Sequence, residues 1–184
     1  MIYFISDWHL NHNKAFVYES RGFYSIEEMN ETLIARHNSV VKPHDVVYVL
    51  GDCCLGGGSK ENLLDNQYLI NQFNGELRIM CGNHDTFNRV EMYKQCENIV
   101  DIAVAKFLNY KHYHFYLSHF PSLCSNLDFD KPLKARTISL CGHSHTIDPF
   151  SDFDKGLIYH CEVDAHYGFP ISIEQIIEEI KERC

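Results

Sequence analysis

Five short apolar runs that each end in aspartate, asparagine or histidine constrain this chain more than any other feature of its sequence. A short apolar run that stops at a turn is typical of a buried β-strand. The runs are Ile2–Ser6 before Asp7-Trp8-His9, Val46–Leu50 before Gly51-Asp52, Leu77–Met80 before Gly82-Asn83-His84-Asp85, Phe115–Ser118 before His119, and Ile138–Cys141 before Gly142-His143-Ser144-His145. Loops that follow strands often carry function. We therefore expect these polar groups to form one site at one edge of a sheet.

Helical signals lie between the strand-like runs. Ser25 and Ser172 each open a capping-box pattern, with Glu28 and Gln175 three residues later. Ser59 is a further helix cap. The predicted helices are 26–38, 59–73, 87–96 and a C-terminal helix from about 173. Strands that alternate with helices predict an α/β fold, and we expect one domain over residues 1–184.

The second half of the chain adds strands to this pattern. We predict one strand over 99–107, joined to Tyr113–Ser118 by a hairpin at Asn109-Tyr110-Lys111, and a further strand over 157–164. Residues 122–136, with Asp128 and Asp130, are predicted to form a loop.

Net charge, the length of the apolar runs and the cysteines indicate which kinds of partner and compartment to expect. The chain has 184 residues and a net charge of −9, which disfavours binding to duplex nucleic acid because phosphate contacts need lysine and arginine. No apolar run approaches the ~20 residues of a membrane span. No basic segment precedes the first strand, so we expect no signal peptide and no membrane partner. The eight cysteines then predict buried free thiols and a cytoplasmic protein.

The polar groups at the strand ends suit metal binding. The candidates are Asp7, His9, Asp52, Asn83, His84, His119, His143 and His145. One ion cannot use all of them, whereas two divalent ions roughly 3.5–4 Å apart can share a bridging carboxylate. Mixed nitrogen and oxygen ligands favour Mn, Fe, Zn or Ni over Mg or Ca. Such an ion pair clamps a phosphoryl group and generates hydroxide near neutral pH, so hydrolysis of a phosphate ester is the expected chemistry.

These motifs, in this order, resemble the calcineurin-like metallophosphoesterases. The blocks that carry the resemblance are Asp7-Trp8-His9, Gly51-Asp52, Gly82-Asn83-His84-Asp85, His119 and Gly142-His143-Ser144-His145. The stretches from Ser6 to His12 and from Arg21 to Met29 resemble the small single-domain phosphoesterases of bacteria and phages. The resemblance implies a four-layer αββα sandwich of two mixed β-sheets flanked by helices.

The resemblance also implies a role for each residue. Asp7, His9 and His145 would hold the first metal ion; Asn83, His119 and His143 would hold the second; Asp52 would bridge both. His84 would contact the phosphate beside Asn83 and protonate the leaving oxygen, with Asp85 orienting its ring. A metal-bridging hydroxide would be the nucleophile.

Two further residues are candidate substrate contacts on chemical grounds. His12 is either a substrate contact or a partner behind the metal ligands. Arg21 is the best remaining phosphate binder, and a plain surface arginine is the alternative.

The sequence departs from one branch of the family. Protein Ser/Thr phosphatases extend the second block to G-D-x-x-D-R-G, whereas this chain reads Gly51-Asp52-Cys53-Cys54-Leu55-Gly56. We predict a phosphodiesterase that acts on nucleotides or other small diesters. A phosphomonoesterase, a non-catalytic interaction scaffold of the same fold and a histidine-rich metal-storage protein are the alternatives. The oligomeric state is open.

Overall fold

The computed structural model describes residues 1–123, 132, 135–151 and 157–183. Asp128, Asp130 and most of the predicted loop 122–136 lie outside this range. The strands are β1 (Ile2–Ile5), β2 (Val46–Val49), β3 (Glu76–Met80), β4 (Ile99–Ala103), β5 (Ala105–Tyr110), β6 (Tyr113–Ser118), β7 (Thr137–Cys141), β8 (Phe150–Ser151), β9 (Leu157–His160) and β10 (Ile171–Ser172). The helices are α1 (Ala15–Tyr18), α2 (Ile26–Val40), α3 (Lys60–Ile70), α4 (Phe87–Tyr93) and α5 (Ile173–Arg183).

The strands form two five-stranded mixed sheets. The first has the order β10-β1-β2-β3-β4, in which β10 is antiparallel to β1 and the other neighbours are parallel. The second has the order β5-β6-β7-β9-β8, with antiparallel edge strands around three parallel ones. The carboxyl ends of β1, β2 and β3 therefore share one edge of the first sheet, and those of β6 and β7 share one edge of the second.

Two hydrophobic cores hold these layers together. Successive strand residues point to opposite faces, so β1 sends Phe4 into one core and Ile5 into the other. The core with Phe4 lies between the sheets, where it also contains Leu117, Leu140 and the isoleucines of α5. The core with Ile5 lies under α2, with Leu33, and under the other helices of that face. The predicted αββα class, two mixed sheets flanked by helices, is confirmed.

Three helix starts lie where the capping serines predict them. The hydroxyl oxygens accept hydrogen bonds from the backbone N–H groups three residues later, at 3.2 Å from Glu28 and Asn62 and 3.3 Å from Gln175. The helices α3 and α4 end earlier than predicted, at Ile70 and Tyr93, because the residues that follow form turns.

The predicted strand over 99–107 is wrong in one respect. It is two strands, which meet at Val104 and belong to different sheets. β4 pairs with β3, and β5 pairs with β6. An apolar run carries no mark of a change of sheet, because both halves have the same residue types. The predicted strand over 157–164 also ends early, at His160.

The six cysteines within the described residues are free thiols, and all except Cys81 are buried. In the same part of the chain, no helix is long and apolar enough to cross a membrane.

Candidate metal centre

The loops after five strands carry the predicted site residues. Asp7 and His9 follow β1, Asp52 follows β2, Asn83 and His84 follow β3, His119 follows β6, and His143 and His145 follow β7. The site therefore spans both sheets, with the second sheet contributing only histidines.

The backbone at this site is strained. Five site residues have positive φ angles: Asp7 57°, His9 51°, Asp52 54°, His143 76° and His145 49°. This conformation is uncommon for residues with a side chain and costs about 1–3 kcal/mol each, so it persists only where surrounding contacts hold it. Strain concentrated in these loops is typical of a functional site.

Two glycines let the loops approach the carboxylates. A Cβ at Gly142 would lie 2.3 Å from Asp7 Oδ2, and a Cβ at Gly82 would lie 2.3 Å from Asp52 Oδ1. Because neither glycine has a Cβ, the loops can come close to the carboxylates. The backbone N–H of His143 donates to Asp7 Oδ2, and that of His84 donates to Asp52 Oδ1, both at 2.9 Å. The close approach of backbone to carboxylate explains why glycine precedes each histidine block.

Asp7, His9 and His145 form a first cluster, with ligand atoms within 4.8 Å of one another. Asp7 Oδ1 lies 3.6 Å from His9 Nε2 and 3.7 Å from His145 Nε2, and the two ring nitrogens are 3.1 Å apart. Asp7 is fully buried, yet within the described residues its Oδ1 has no hydrogen-bond partner. A buried, unpartnered carboxylate oxygen between two imidazole nitrogens fits a metal ion.

Electrostatics favours the ligand forms of two members of this cluster, Asp7 and His9. Burial raises the pKa of Asp7, but His9 and the charge of His145 outweigh it and bring the pKa below its ordinary value. Burial lowers the pKa of His9, despite the neighbouring Asp7. The carboxylate is therefore ionised and the His9 ring neutral, which are the states that bind metal.

Asp7, Asp52 and His119 form a second cluster, also within 4.8 Å. Asp52 Oδ2 lies 3.6 Å from His119 Nε2 and 3.8 Å from His9 Nε2, so it faces one imidazole from each cluster. Asn83 Oδ1 is 2.9 Å from the same His119 nitrogen. The other nitrogen of His119, Nδ1, is 2.8 Å from the carbonyl of Leu50, which leaves Nε2 to face the cluster.

His143 stands apart from both clusters. Its ring centroid lies 5.0 Å from that of His119 and 4.7 Å from that of Phe120, and the residue is exposed. Its backbone, rather than its imidazole, contacts the first cluster through Asp7.

His84 borders the second cluster. Its Nε2 is 3.9 Å from Asp52 Oδ2, and its side chain is 43% exposed, so the ring faces both the carboxylates and solvent. Its carbonyl accepts from the buried Arg89, which also donates to the carbonyl of Gly56 at 2.8 Å. Sequence reasoning missed Arg89, because the sequence does not show that this arginine is buried against the loop of His84.

Asp85 does not have the contacts expected of it. Its Oδ2 accepts from the backbone N–H groups of Gly82 and Asp52, at 2.8 and 2.9 Å, and its Oδ1 accepts from the Tyr93 hydroxyl at 2.6 Å. No hydrogen bond joins Asp85 to the His84 ring in the described part of the chain. The carboxylate therefore braces the loops after β2 and β3 rather than orienting the imidazole.

His12 lies beside the first cluster. Its ring centroid is 5.5 Å from that of His9, and its Nδ1 is buried with no hydrogen-bond partner among residues the structure describes. Burial, with the charges of His9 and His84, lowers the pKa of His12 to about 4. A neutral imidazole at this position can donate a hydrogen bond to a substrate.

Arg21 is neither an exposed arginine nor free for a phosphate. Its side chain is 7% exposed, and it donates to both carboxylate oxygens of Asp164 at 2.9 Å. It also donates to the carbonyls of Asp7 and Trp8, at 2.9 and 3.1 Å. Asp164 in turn lies 2.9 Å from His145 Nδ1.

The contacts among Arg21, Asp164 and His145 shift the pKa values of the carboxyl and the imidazole. Burial raises the pKa of Asp164, but His145 and Arg21 outweigh it and lower the pKa to about 2. The hydrogen bond to Asp164 raises the pKa of His145.

Comparisons with known proteins agree with this arrangement. A family model described as calcineurin-like phosphoesterase matches residues 1–162. An uncharacterised protein of Methanocaldococcus jannaschii, MJ1445, is 33% identical over 183 residues, which cover 98% of this chain and 91% of that protein. The crystal structure of a protein of unknown function from Aquifex aeolicus, AQ665, superposes with a TM-score of 0.69 at 21% identity over 98% of both chains, so the two share a fold. The predicted resemblance is confirmed: this chain belongs to the calcineurin-like phosphoesterase family.

Proposed function

We propose that this protein is a hydrolase that uses two divalent metal ions as a phosphodiesterase on nucleotides that contain a diester or on other small diesters, and that it acts as one domain. The observation that carries the proposal is the pair of clusters that share Asp7, beside a half-exposed His84. The clusters offer carboxylate oxygens and imidazole nitrogens, and the adjacent imidazole is open to substrate.

The first ion would be held by Asp7, His9 and His145. The unpartnered Asp7 Oδ1 and the two facing Nε2 atoms support this assignment. The second ion would be held by Asn83 and His119, with Asp52 bridging both ions.

We propose His143 as a third ligand of the second ion, although its imidazole lies outside both clusters. Its exposed ring already lies beside a proposed ligand of that ion, with its centroid 5.0 Å from that of His119.

Mixed nitrogen and oxygen ligation favours Mn, Fe, Zn or Ni. When bound, the ions supply positive charge at the phosphoryl oxygens and lower the pKa of a water nucleophile.

The chain's own contribution to the chemistry centres on His84. Its backbone is fixed by Asp52 and Arg89, and its ring projects toward solvent next to Asp52 Oδ2. From this position the imidazole would bind a phosphoryl oxygen and donate its proton to the leaving oxygen. His12 and Asn83 would supply further contacts to the phosphate.

Charge supports a diester over a monoester. A monoester dianion carries more negative charge than a diester, and it favours sites with free arginines. Within the part of the chain that the structure describes, Arg21 and Arg89 border the clusters, and both already donate to protein carbonyls or a carboxylate. Among the described residues beside the clusters, imidazoles and an amide are left to meet the phosphate, which suits the lower charge of a diester.

The test compares bis-p-nitrophenyl phosphate with p-nitrophenyl phosphate, using chelated protein reloaded with Mn, Ni, Zn or Mg. We expect metal-dependent hydrolysis with faster turnover of the diester, and a slower rate with Mg. Faster turnover of the monoester would assign the protein as a phosphomonoesterase. Protein that binds two ions but hydrolyses neither ester would favour a non-catalytic scaffold.

Free buried thiols support a reducing compartment, and we propose the cytoplasm. The net charge of −9 supports a small substrate rather than duplex nucleic acid.

A further inference from the structure

Arg21 connects three parts of the chain that meet at the first cluster. It lies in the turn after α1, Asp164 lies after β9, and His145 lies after β7. The guanidinium binds both oxygens of Asp164, and one of these, Oδ2, also faces His145 Nδ1. The three side chains therefore form a continuous chain that ends at the imidazole of a proposed ligand.

This chain of contacts fixes the tautomer of His145. Nδ1 lies 2.9 Å from Asp164 Oδ2 and 3.5 Å from the Arg21 guanidinium, so the carboxylate is its nearer partner. A carboxylate only accepts hydrogen bonds, so in this contact Nδ1 carries the proton. Nε2 is then the atom left to face Asp7 Oδ1 and His9 Nε2, at 3.7 and 3.1 Å. A carboxylate behind an imidazole orients the ring and strengthens its other nitrogen as a metal ligand.

The same guanidinium also holds the other two members of the cluster. It donates to the carbonyls of Asp7 and Trp8, which lie in the loop where Asp7 and His9 have positive φ angles. Left-handed backbone at two such residues needs fixed contacts to persist. One buried arginine thus orients His145 and holds the loop that carries the remaining ligands.

Only arginine has this combination of contacts. Its planar fork places two N–H groups on a carboxylate while others reach carbonyls, whereas lysine has one compact ammonium group. The pair is largely buried, with side chains 7% and 14% exposed, so the bonds are protected from solvent.

We propose that Arg21 and Asp164 are positioning residues that set the affinity of the first cluster for its metal ion. This inference rests on the proposed function, because it takes Asp7, His9 and His145 as metal ligands. The sequence suggested that Arg21 binds phosphate directly. In this inference Arg21 instead acts by positioning the metal ligands.

The test measures metal affinity and not only activity. Co²⁺ is titrated into metal-free protein, and binding at each site is followed by calorimetry and by the visible absorption of the ion. We expect Arg21→Lys, which keeps the charge but loses the fork, to weaken one of the two sites by about 10–100-fold. The other site should be weakened less, because it shares only Asp7 with the first cluster. Circular dichroism of the metal-free protein verifies that the variant is folded.

Arg36→Lys is the matched control. Arg36 lies on α2, donates to the carbonyl of Tyr167 at 2.7 Å and packs over Phe23 and Phe169. It lines the same cavity as Arg21 and Asp164 but belongs to neither cluster, so it controls for an arginine-to-lysine change nearby. We expect both Co²⁺ affinities of this variant to equal those of the wild type.

Asp164→Asn is the second variant, for use if Arg21→Lys does not fold. It has nearly the same shape and keeps one acceptor for His145, but it loses the carboxylate pairing with Arg21. We expect the same unequal weakening of the two sites. Unchanged affinity at both sites in a folded variant would overturn the inference while leaving the proposed function intact. Wild-type protein that binds no Co²⁺ would overturn both.

Discussion

The carboxylate of Asp52 faces both the backbone and the ring of His84. Its Oδ1 accepts from the His84 backbone N–H at 2.9 Å, and its Oδ2 lies 3.9 Å from the ring Nε2. The same carboxylate faces His9 and His119 through Oδ2. The proposed bridging ligand and the proposed proton donor are therefore one structural unit. Substitutions at the two positions are expected to differ in metal content and to agree in lost turnover.

His84→Ala is predicted to keep both ions and to lose turnover by about 10²–10⁴-fold, because it removes only the proton donor. Asp52→Asn is predicted to lose metal as well, because a neutral amide replaces a carboxylate that faces both clusters. Elemental analysis and steady-state rates with bis-p-nitrophenyl phosphate measure the two effects.

His114→Ala is the control for these variants, since His114 is exposed and bonds to Asn109 at 2.7 Å on β5. It should match the wild type in both metal content and rate. Full activity in His84→Ala would contradict the role of that residue.

Asp85→Asn is predicted to destabilise the fold and weaken metal binding. An amide cannot accept from two backbone N–H groups on one side and a tyrosine hydroxyl on the other without leaving a donor unpaired, which costs about 1–3 kcal/mol. Urea unfolding of the metal-free protein measures the loss.

Tyr93→Phe removes only one of these bonds, and its loss should be smaller, about 0.5–1.5 kcal/mol. An Asp85→Asn variant of wild-type stability with a collapsed kcat would instead favour the orienting role that the sequence predicts for Asp85.

Gly142→Ala is predicted to disrupt the first cluster. The new methyl group would lie 2.3 Å from Asp7 Oδ2 and 2.5 Å from Ser6 Oγ, so the carboxylate or the loop must shift. We expect a loss of about 1–3 kcal/mol in unfolding free energy and a weaker metal site. Gly58→Ala, where a Cβ meets nothing within 4 Å, is the control and should change neither quantity. Equal behaviour of the two variants would argue against the close approach.

Acid is predicted to destabilise the protein partly through His37. Burial lowers the pKa of His37 to about 4, although its bond to the carbonyl of Asn74 opposes this. The unfolded chain, with a pKa near 6.5, takes up a proton first as the pH falls, so stability declines between about pH 6.5 and 4. The contribution is about 3 kcal/mol in total, at about 1.36 kcal/mol per pKa unit.

His37→Gln cannot titrate in this range, so its stability deficit relative to the wild type should shrink as the pH falls from 7 to 4. Urea unfolding at four pH values measures the difference. A deficit that stays constant with pH would contradict the assignment.

Sequence patterns located the loops that follow five strands and indicated an α/β fold, because each strand end is marked by a change from apolar to polar residue types. The two-sheet αββα class came from the family resemblance. The change of sheet at Val104 has no such mark, since strand residues look alike in either sheet. The residues that hold the site loops in place are equally hard to recognise in the sequence. Asp85 and Arg21 have side chains that suit substrate contact, and only their tertiary partners reveal that they hold loops.

The central claim is that this site binds two metal ions and uses them to cleave a phosphodiester. The most direct measurement titrates Mn²⁺ into chelated protein while following hydrolysis of bis-p-nitrophenyl phosphate. We predict that activity rises with added metal and reaches its plateau at two ions per chain. Two bound ions with no hydrolysis of the diester, or hydrolysis that persists in the metal-free protein, would contradict the account.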